Sequence, residues 1–111
     1  MSTPVELYDQ ANRLKDAGQL DEAIAKLLEA LALDPDYALA HTGLAMFYQK
    51  QGKHLEAVEH AQRVCELEPN DAFSFSAFSV ICQRAFAGTN DRQYIQIAEE
   101  AMARARMIEG H

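Results

Sequence analysis

The side chains best able to do chemistry in this chain are four histidines, two cysteines, a cluster of serines and a surplus of carboxylates. Nucleophilic catalysis needs a hydroxyl or thiol held beside a base on an exposing turn. Ser74, Ser76 and Ser79 lie in the run AFSFSAFSVICQRAF, with no G-x-S-x-G around them. Metal binding needs ligands that share a face. His54 and His60 stand six apart, and neither H-E-x-x-H nor H-x-x-x-H occurs. Cys65 and Cys82 form no C-x-x-C. Both sit among apolar neighbours and read as buried, reduced thiols, which fits a cytoplasmic protein. Glu22, Glu29, Glu56, Glu59, Glu99 and Glu100 read as the solvated faces of helices. No nucleophile, base and orienting group come together, so the sequence predicts no enzyme, no metal and no cofactor.

Composition narrows the partners. A net charge of −7 disfavours nucleic acid and anionic membranes, which are bound by basic surfaces. No apolar run approaches the roughly 18 residues needed to span a bilayer. The opening MSTPVELYDQ has neither the basic nor the apolar region of a signal peptide. With 111 residues, 49% of them hydrophobic, the chain is expected to form one domain with its own core.

The elements that must position these groups repeat. Gly18 and Gly52 are 34 apart, as are Pro35 and Pro69, Ala11 and Ala45, Glu22 and Glu56, Ala23 and Ala57, and Leu33 and Leu67. Within each period the apolar spacing is helical: Leu7, Ala11 and Leu14 form one stripe, and Leu20, Ala23, Ile24, Leu27, Leu28 and Leu31 another. Thr3-Pro4-Val5-Glu6 is a helix start, with Thr as cap, Pro in the first turn and Glu three residues on. Each period therefore reads as two antiparallel helices, turned near the glycine and ended at Asp34-Pro35 or Glu68-Pro69.

These residues resemble the tetratricopeptide repeat, a 34-residue helix-turn-helix unit. Leu7, Ala11, Leu14, Gly18, Ala23, Leu27, Ala30 and Pro35 occupy its signature positions in the first copy. His41, Leu44, Ala45, Tyr48, Gly52, Ala57, Ala61, Val64 and Pro69 do so in the second. The expected fold is an all-α, right-handed superhelical solenoid of three antiparallel helix pairs. Its repeats span about 4–37, 38–71 and 72–109. In the third, Phe75, Phe78, Ser79 and Cys82 keep the register, but Ala98, Met102 and Ala105 restore the pattern seven residues late. An insertion around Ala87 to Asp91 accounts for the slip, with Gly88 stopping the fifth helix and Asn90 with Gln93 capping the sixth.

The resemblance implies a concave groove lined by the first helix of each repeat. Its lining is expected from Tyr8, Asn12 and Lys15, then Thr42, Met46, Gln49 and Lys50, then Phe73, Ser76, Val80 and Arg84, with Val5, Leu39 and Gln83 beside them. Some relatives grip acidic chaperone tails with a clamp of Lys, Asn and Arg. Of the five matching positions only Asn12 agrees; Tyr8, Gly43, Phe73 and Ala77 stand at the others. The departure implies a groove that reads an apolar segment, with Lys15, Lys50 and Arg84 orienting a carboxylate.

The leading expectation is a non-enzymatic protein-protein interaction module that binds a partner's peptide, as an adaptor, chaperone or assembly factor. Tyr8, Met46 and Phe73 are its expected anchors. The alternative is a structural scaffold that self-associates, as a weak homo-oligomer, or docks through its last helix pair. Tyr94, Ile95, Ile97, Met102, Met107 and Ile108 are its candidate interface, since no room remains for a seventh, covering helix.

Overall fold

A computed structural model describes residues 2–110. Six helices follow one another: α1 (Pro4–Asp16), α2 (Leu20–Leu33), α3 (Ala38–Lys50), α4 (His54–Leu67), α5 (Ala72–Thr89) and α6 (Arg92–Glu109). No strand occurs among the described residues. Each odd helix packs on the even helix that follows it, α2 packs on α3, and α4 on α5. The result is an all-α solenoid, with extents of 42 × 32 × 21 Å.

Local sequence sets the ends of these helices. The Thr3 hydroxyl accepts the Glu6 N–H at 3.2 Å and donates to the Glu6 carboxylate, which starts α1. At the other end Gly18 turns left-handed at φ 80°, so that Gln19 N–H reaches the Leu14 carbonyl and Gly18 N–H the Lys15 carbonyl. Gly52 repeats this at φ 75°, with Lys53 bonded to Tyr48 and Gly52 to Gln49. Left-handed backbone is cheap only for glycine, so the 34-residue spacing of the glycines is the spacing of two identical turns.

Small residues fill the contacts between helices. Ala11, Ala23, Ala30, Ala40 and Ala57 are fully buried, and Leu27 and Leu44 are the largest side chains closed between them. Two clusters make up the core. One joins α1, α2 and α3 through Leu7, Ile24, Leu27, Leu44 and Phe47. The other joins α3 to α6 through Val58, Cys65, Phe78, Ile81 and Cys82. Tyr48 packs against both and links them. Burial pushes the Cys65 thiol up to about 12 and the Cys82 thiol to about 11, so both stay protonated and unreactive at neutral pH.

The α5–α6 pair corrects two expectations. Gly88 does not stop α5, which runs 18 residues, through Gly88 to Thr89. Asn90 ends it in the left-handed region at φ 61°. Nor does Asn90 cap α6. Asp91 does, accepting the Gln93 N–H at 3.0 Å. The inserted residues thus lengthen helices that are 13 or 14 residues long elsewhere, instead of forming a loop. Gly88 has another task. A Cβ there would run into Nε2 of His54 at the start of α4, so its bare backbone lets the added turn of α5 lie against that ring. Phe78 and Cys82 are buried as expected of core residues. Phe75 is only half-buried, packed against the second cluster with the Arg104 guanidinium 5.9 Å from its ring centroid.

Gly88→Ala separates helix propensity from packing. Propensity alone favours Ala by about 1 kcal/mol. Displacing the His54 ring should offset that gain, leaving Gly88→Ala near neutral or mildly destabilising in urea unfolding. In a His54→Ala background the same substitution should become stabilising. A stabilised Gly88→Ala single variant would show that the ring does not rest on that glycine.

Candidate peptide-binding groove

The expected lining residues fall on three helices: Tyr8, Asn12 and Lys15 on α1; Thr42, Met46, Gln49 and Lys50 on α3; Phe73, Ser76, Val80 and Arg84 on α5. They are not equally free. The Tyr8 ring meets Tyr37 edge-on, centroids 6.2 Å apart, and lies half-buried on the first core cluster. Asn12 and Ser76 are half-buried, and the Thr42 hydroxyl donates to the Ala38 carbonyl within its own helix. Met46 and Phe73 behave differently. They are 50% and 75% exposed, far above what apolar side chains of their size need for packing.

Between α3 and α5, over a floor supplied by α4, lies a crevice of about 120 Å³. Thr42, Met46, Phe73, Ala77 and Ile81 line it, with Val64 beneath. Its walls are nearly all carbon. Ala77 keeps the gap open, because a longer side chain on α5 would fill it. The volume is well below the range of small-molecule pockets, roughly 300–1,000 Å³, and suits one inserted side chain.

Polar groups gather beside it at the end of α3. Arg84 donates to Gln49 Oε1 at 2.9 Å, tying α5 to α3 next to Lys50. Lys15 stands 3.7 Å from Asp16, whereas Lys50 has no ion pair among the described residues. Of the clamp positions, Gly43 faces the α2 side: a Cβ there would meet Leu27 Cδ1 at 2.7 Å.

Two of the three serines of the AFSFSAFSVICQRAF run are held by hydrogen bonds. Ser74 donates to its cap Asp71 at 2.8 Å, and Ser79 to the Ala98 carbonyl at 2.8 Å across the α5–α6 contact. Both bonds lie within the contacts that start α5 and join it to α6.

Two family models describing tetratricopeptide repeats match the chain, over residues 11–52 and 38–71, and together cover more than half of it. The chain belongs to the tetratricopeptide repeat family. The TPR repeat-containing thioredoxin TTL4 of Arabidopsis thaliana is 39% identical over 57 residues, 51% of this chain. The chain spans only 8% of that protein's length. Among solved structures, the second TPR of Spaghetti (RPAP3), bound to HSP90 peptide SRMEEVD, superposes with a TM-score of 0.73 at 19% identity. That match covers 95% of this chain and 91% of the other, so the likeness of fold runs past residue 71 into α5 and α6.

Periodicity gave no sign of one polar feature of the second tetratricopeptide repeat. His41 and His60, nineteen residues apart, meet across α3 and α4 with their Nδ1 atoms 3.0 Å apart. His41 Nε2 lies 2.8 Å from the Pro35 carbonyl, which can only accept, so that nitrogen carries the proton. Its Nδ1 then accepts, and His60 Nδ1–H donates. The ring of Tyr48 stacks on His60 with centroids 5.7 Å apart. Burial, then the adjacent His41, push the His60 imidazole below its ordinary value, while Glu56 pulls it upward. No cluster of three His, Cys, Asp or Glu occurs among the described residues.

The folded chain therefore keeps His60 neutral where the unfolded chain takes up a proton. Stability is complete above the ordinary imidazole pKa of about 6.5 and falls as pH drops below it toward the folded value. Nuclear magnetic resonance titration should place the His60 ring below about 6.5. The melting temperature should decline over the same interval, less so in His60→Phe. A His60 that titrates at or above its ordinary value overturns the arrangement.

Proposed function

We propose that this tetratricopeptide-repeat chain is a protein-protein interaction module that holds an apolar peptide segment along the α1, α3 and α5 face. The crevice between Met46 and Phe73 carries the reading. It is apolar, open, and sized for one side chain, and it lies between two first helices, where the stacking of repeats puts a groove. The structural relative supports the general mode, since it is bound to a peptide of HSP90.

The chemistry of the segment differs from that relative's. Phe73 and Ala77 present carbon where a clamp for clustered acids would present charge. Lys50 and Arg84 lie to one side, placed to orient a single carboxylate at the peptide's end. Tyr8 contributes a wall held by Tyr37. An apolar anchor with one nearby acid fits an adaptor or assembly factor that recognises exposed hydrophobic segments.

A displayed library of random peptides selected on the protein should yield sequences sharing a Leu, Met or Phe anchor. Phe73→Ala and Met46→Ala should each weaken the selected peptides by about 1–3 kcal/mol in calorimetry. Ala77→Leu, which fills the crevice from its own wall, should do at least as much. Selected peptides that bind all three variants like the parent would place the site elsewhere. Selection of multiply acidic, anchor-free tails would overturn the apolar reading.

A further inference from the structure

The surface that receives α5 in this solenoid consists of Ala45, Ala57, Val58, Ala61 and Cys65 on α3 and α4. Advancing the repeat by 34 on α5, and by 41 on α6 after the insertion, gives Ser79, Ala98, Glu99, Met102 and Arg106. These five residues line one continuous cleft of about 610 Å³ between α5 and α6, with Phe86 and Ile95 at its end. Gln83, expected beside the peptide groove, lies within it and donates to Ser79 Oγ at 3.2 Å. The cleft is thus the stacking face of the last helix pair, and no helix among the described residues covers it. Two substitutions set it apart from the inner face. Glu99 stands where Val58 is buried, and Arg106 where Cys65 is buried. Neither makes a salt bridge among the described residues. An occupant must therefore offer a cation to Glu99, an anion to Arg106, and carbon between them.

That pattern is its own complement. Glu99 and Arg106 lie seven residues apart, two helical turns, on one stripe of α6 with Met102 and Ala103 between them. The far end of the solenoid fits less well: Gln10 and Arg13 of α1 stand where Leu44 and Phe47 fill the α3 contact, so head-to-tail stacking would bury polar groups. We propose that two copies of this chain pair through the α5–α6 cleft, their α6 helices antiparallel about a two-fold axis beside Met102 and Ala103. Glu99 of each copy then faces Arg106 of the other. This is an isologous contact, closed at two chains, and it leaves the α1, α3 and α5 groove free on both.

The rest of the candidate interface divides accordingly. Ile95 and Met102 belong to the pairing face. Tyr94 and Ile97 pack inward on the second core cluster. Met107 and Ile108 border a separate hollow with Asn70 and Arg104.

Charge reversal tests the geometry. In sedimentation of the full chain into the high micromolar range, the parent should dimerise. Glu99→Arg and Arg106→Glu should each weaken the dimer by about tenfold or more, because each sets like charges opposite one another at both ends of the contact. An equimolar mixture of the two variants should re-form dimers, since every facing pair is again opposite in sign. Circular dichroism of each variant checks that α6 remains helical. A parent that stays monomeric overturns the proposal, and so do single variants that dimerise like the parent. Failure of the mixture to re-associate rules out the antiparallel axis. Peptide binding by the groove is read separately, so neither reading falls with the other.

Discussion

Helix backbones in this chain approach more closely than large side chains permit, and the stacking of every pair depends on that approach. Ala11, Ala23, Ala45 and Ala57 recur at the 34-residue period and are shut away from water almost completely. Gly43 shows how tight the crossing is, with no space for a Cβ before the Leu27 side chain must move. Dispersion falls steeply with separation, so small residues at the crossing allow the flanking leucines and aromatics to make their contacts. Leu27 and Leu44 reach complete burial for this reason. The turns serve the same end. A left-handed glycine reverses the chain within two residues and leaves the next helix against the one just completed.

A helix pair built this way has two faces to bury and covers only one by itself. The inner α3–α4 pair settles both faces on neighbours, with Tyr48 belonging to both clusters. The α5–α6 pair meets the same constraint with a different side-chain set. Its helices are one turn longer, and its outer face mixes apolar residues with Glu99 and Arg106. An acid and a base in place of buried Val and Cys tolerate water when the face is bare, and they restrict what may cover it.

The period made most of the fold legible, because identical turns and identical close approaches leave identical residues behind. Helix ends at Thr3, Gly18 and Gly52 could be read locally, since the cap or turn is made by the residues themselves. Gly88 could not. Its helix-breaking tendency is a property of the chain, whereas its use is set by His54, which lies far off in sequence and close in space. The His41–His60 pair escaped notice for a related reason: each ring sits at an ordinary helical position, and only the antiparallel packing of α3 on α4 brings them together. Among the groove residues the helix and face were legible, but freedom was not. Tyr8 and Phe73 look alike as aromatic positions on first helices, and only Tyr37 distinguishes them, by occupying one and leaving the other in solvent.

Magnitudes rank the two kinds of group in the groove. Lys50 is exposed, and the Arg84 guanidinium is also exposed while it bonds to Gln49, so a carboxylate beside them remains in water. Such a contact is worth about 0–1 kcal/mol and is weakened by salt. Seating an apolar side chain in the Met46–Phe73 crevice removes carbon from water on both partners, at about 1.5–3 kcal/mol for a fully buried residue. Under the proposed function, selection would therefore begin with shape and carbon at the crevice, and charge would act mainly on the direction in which the segment lies. The acidity of the chain as a whole works in the same sense. With a net charge of −7, a strongly acidic segment would be repelled at long range more than an apolar segment with a single acid.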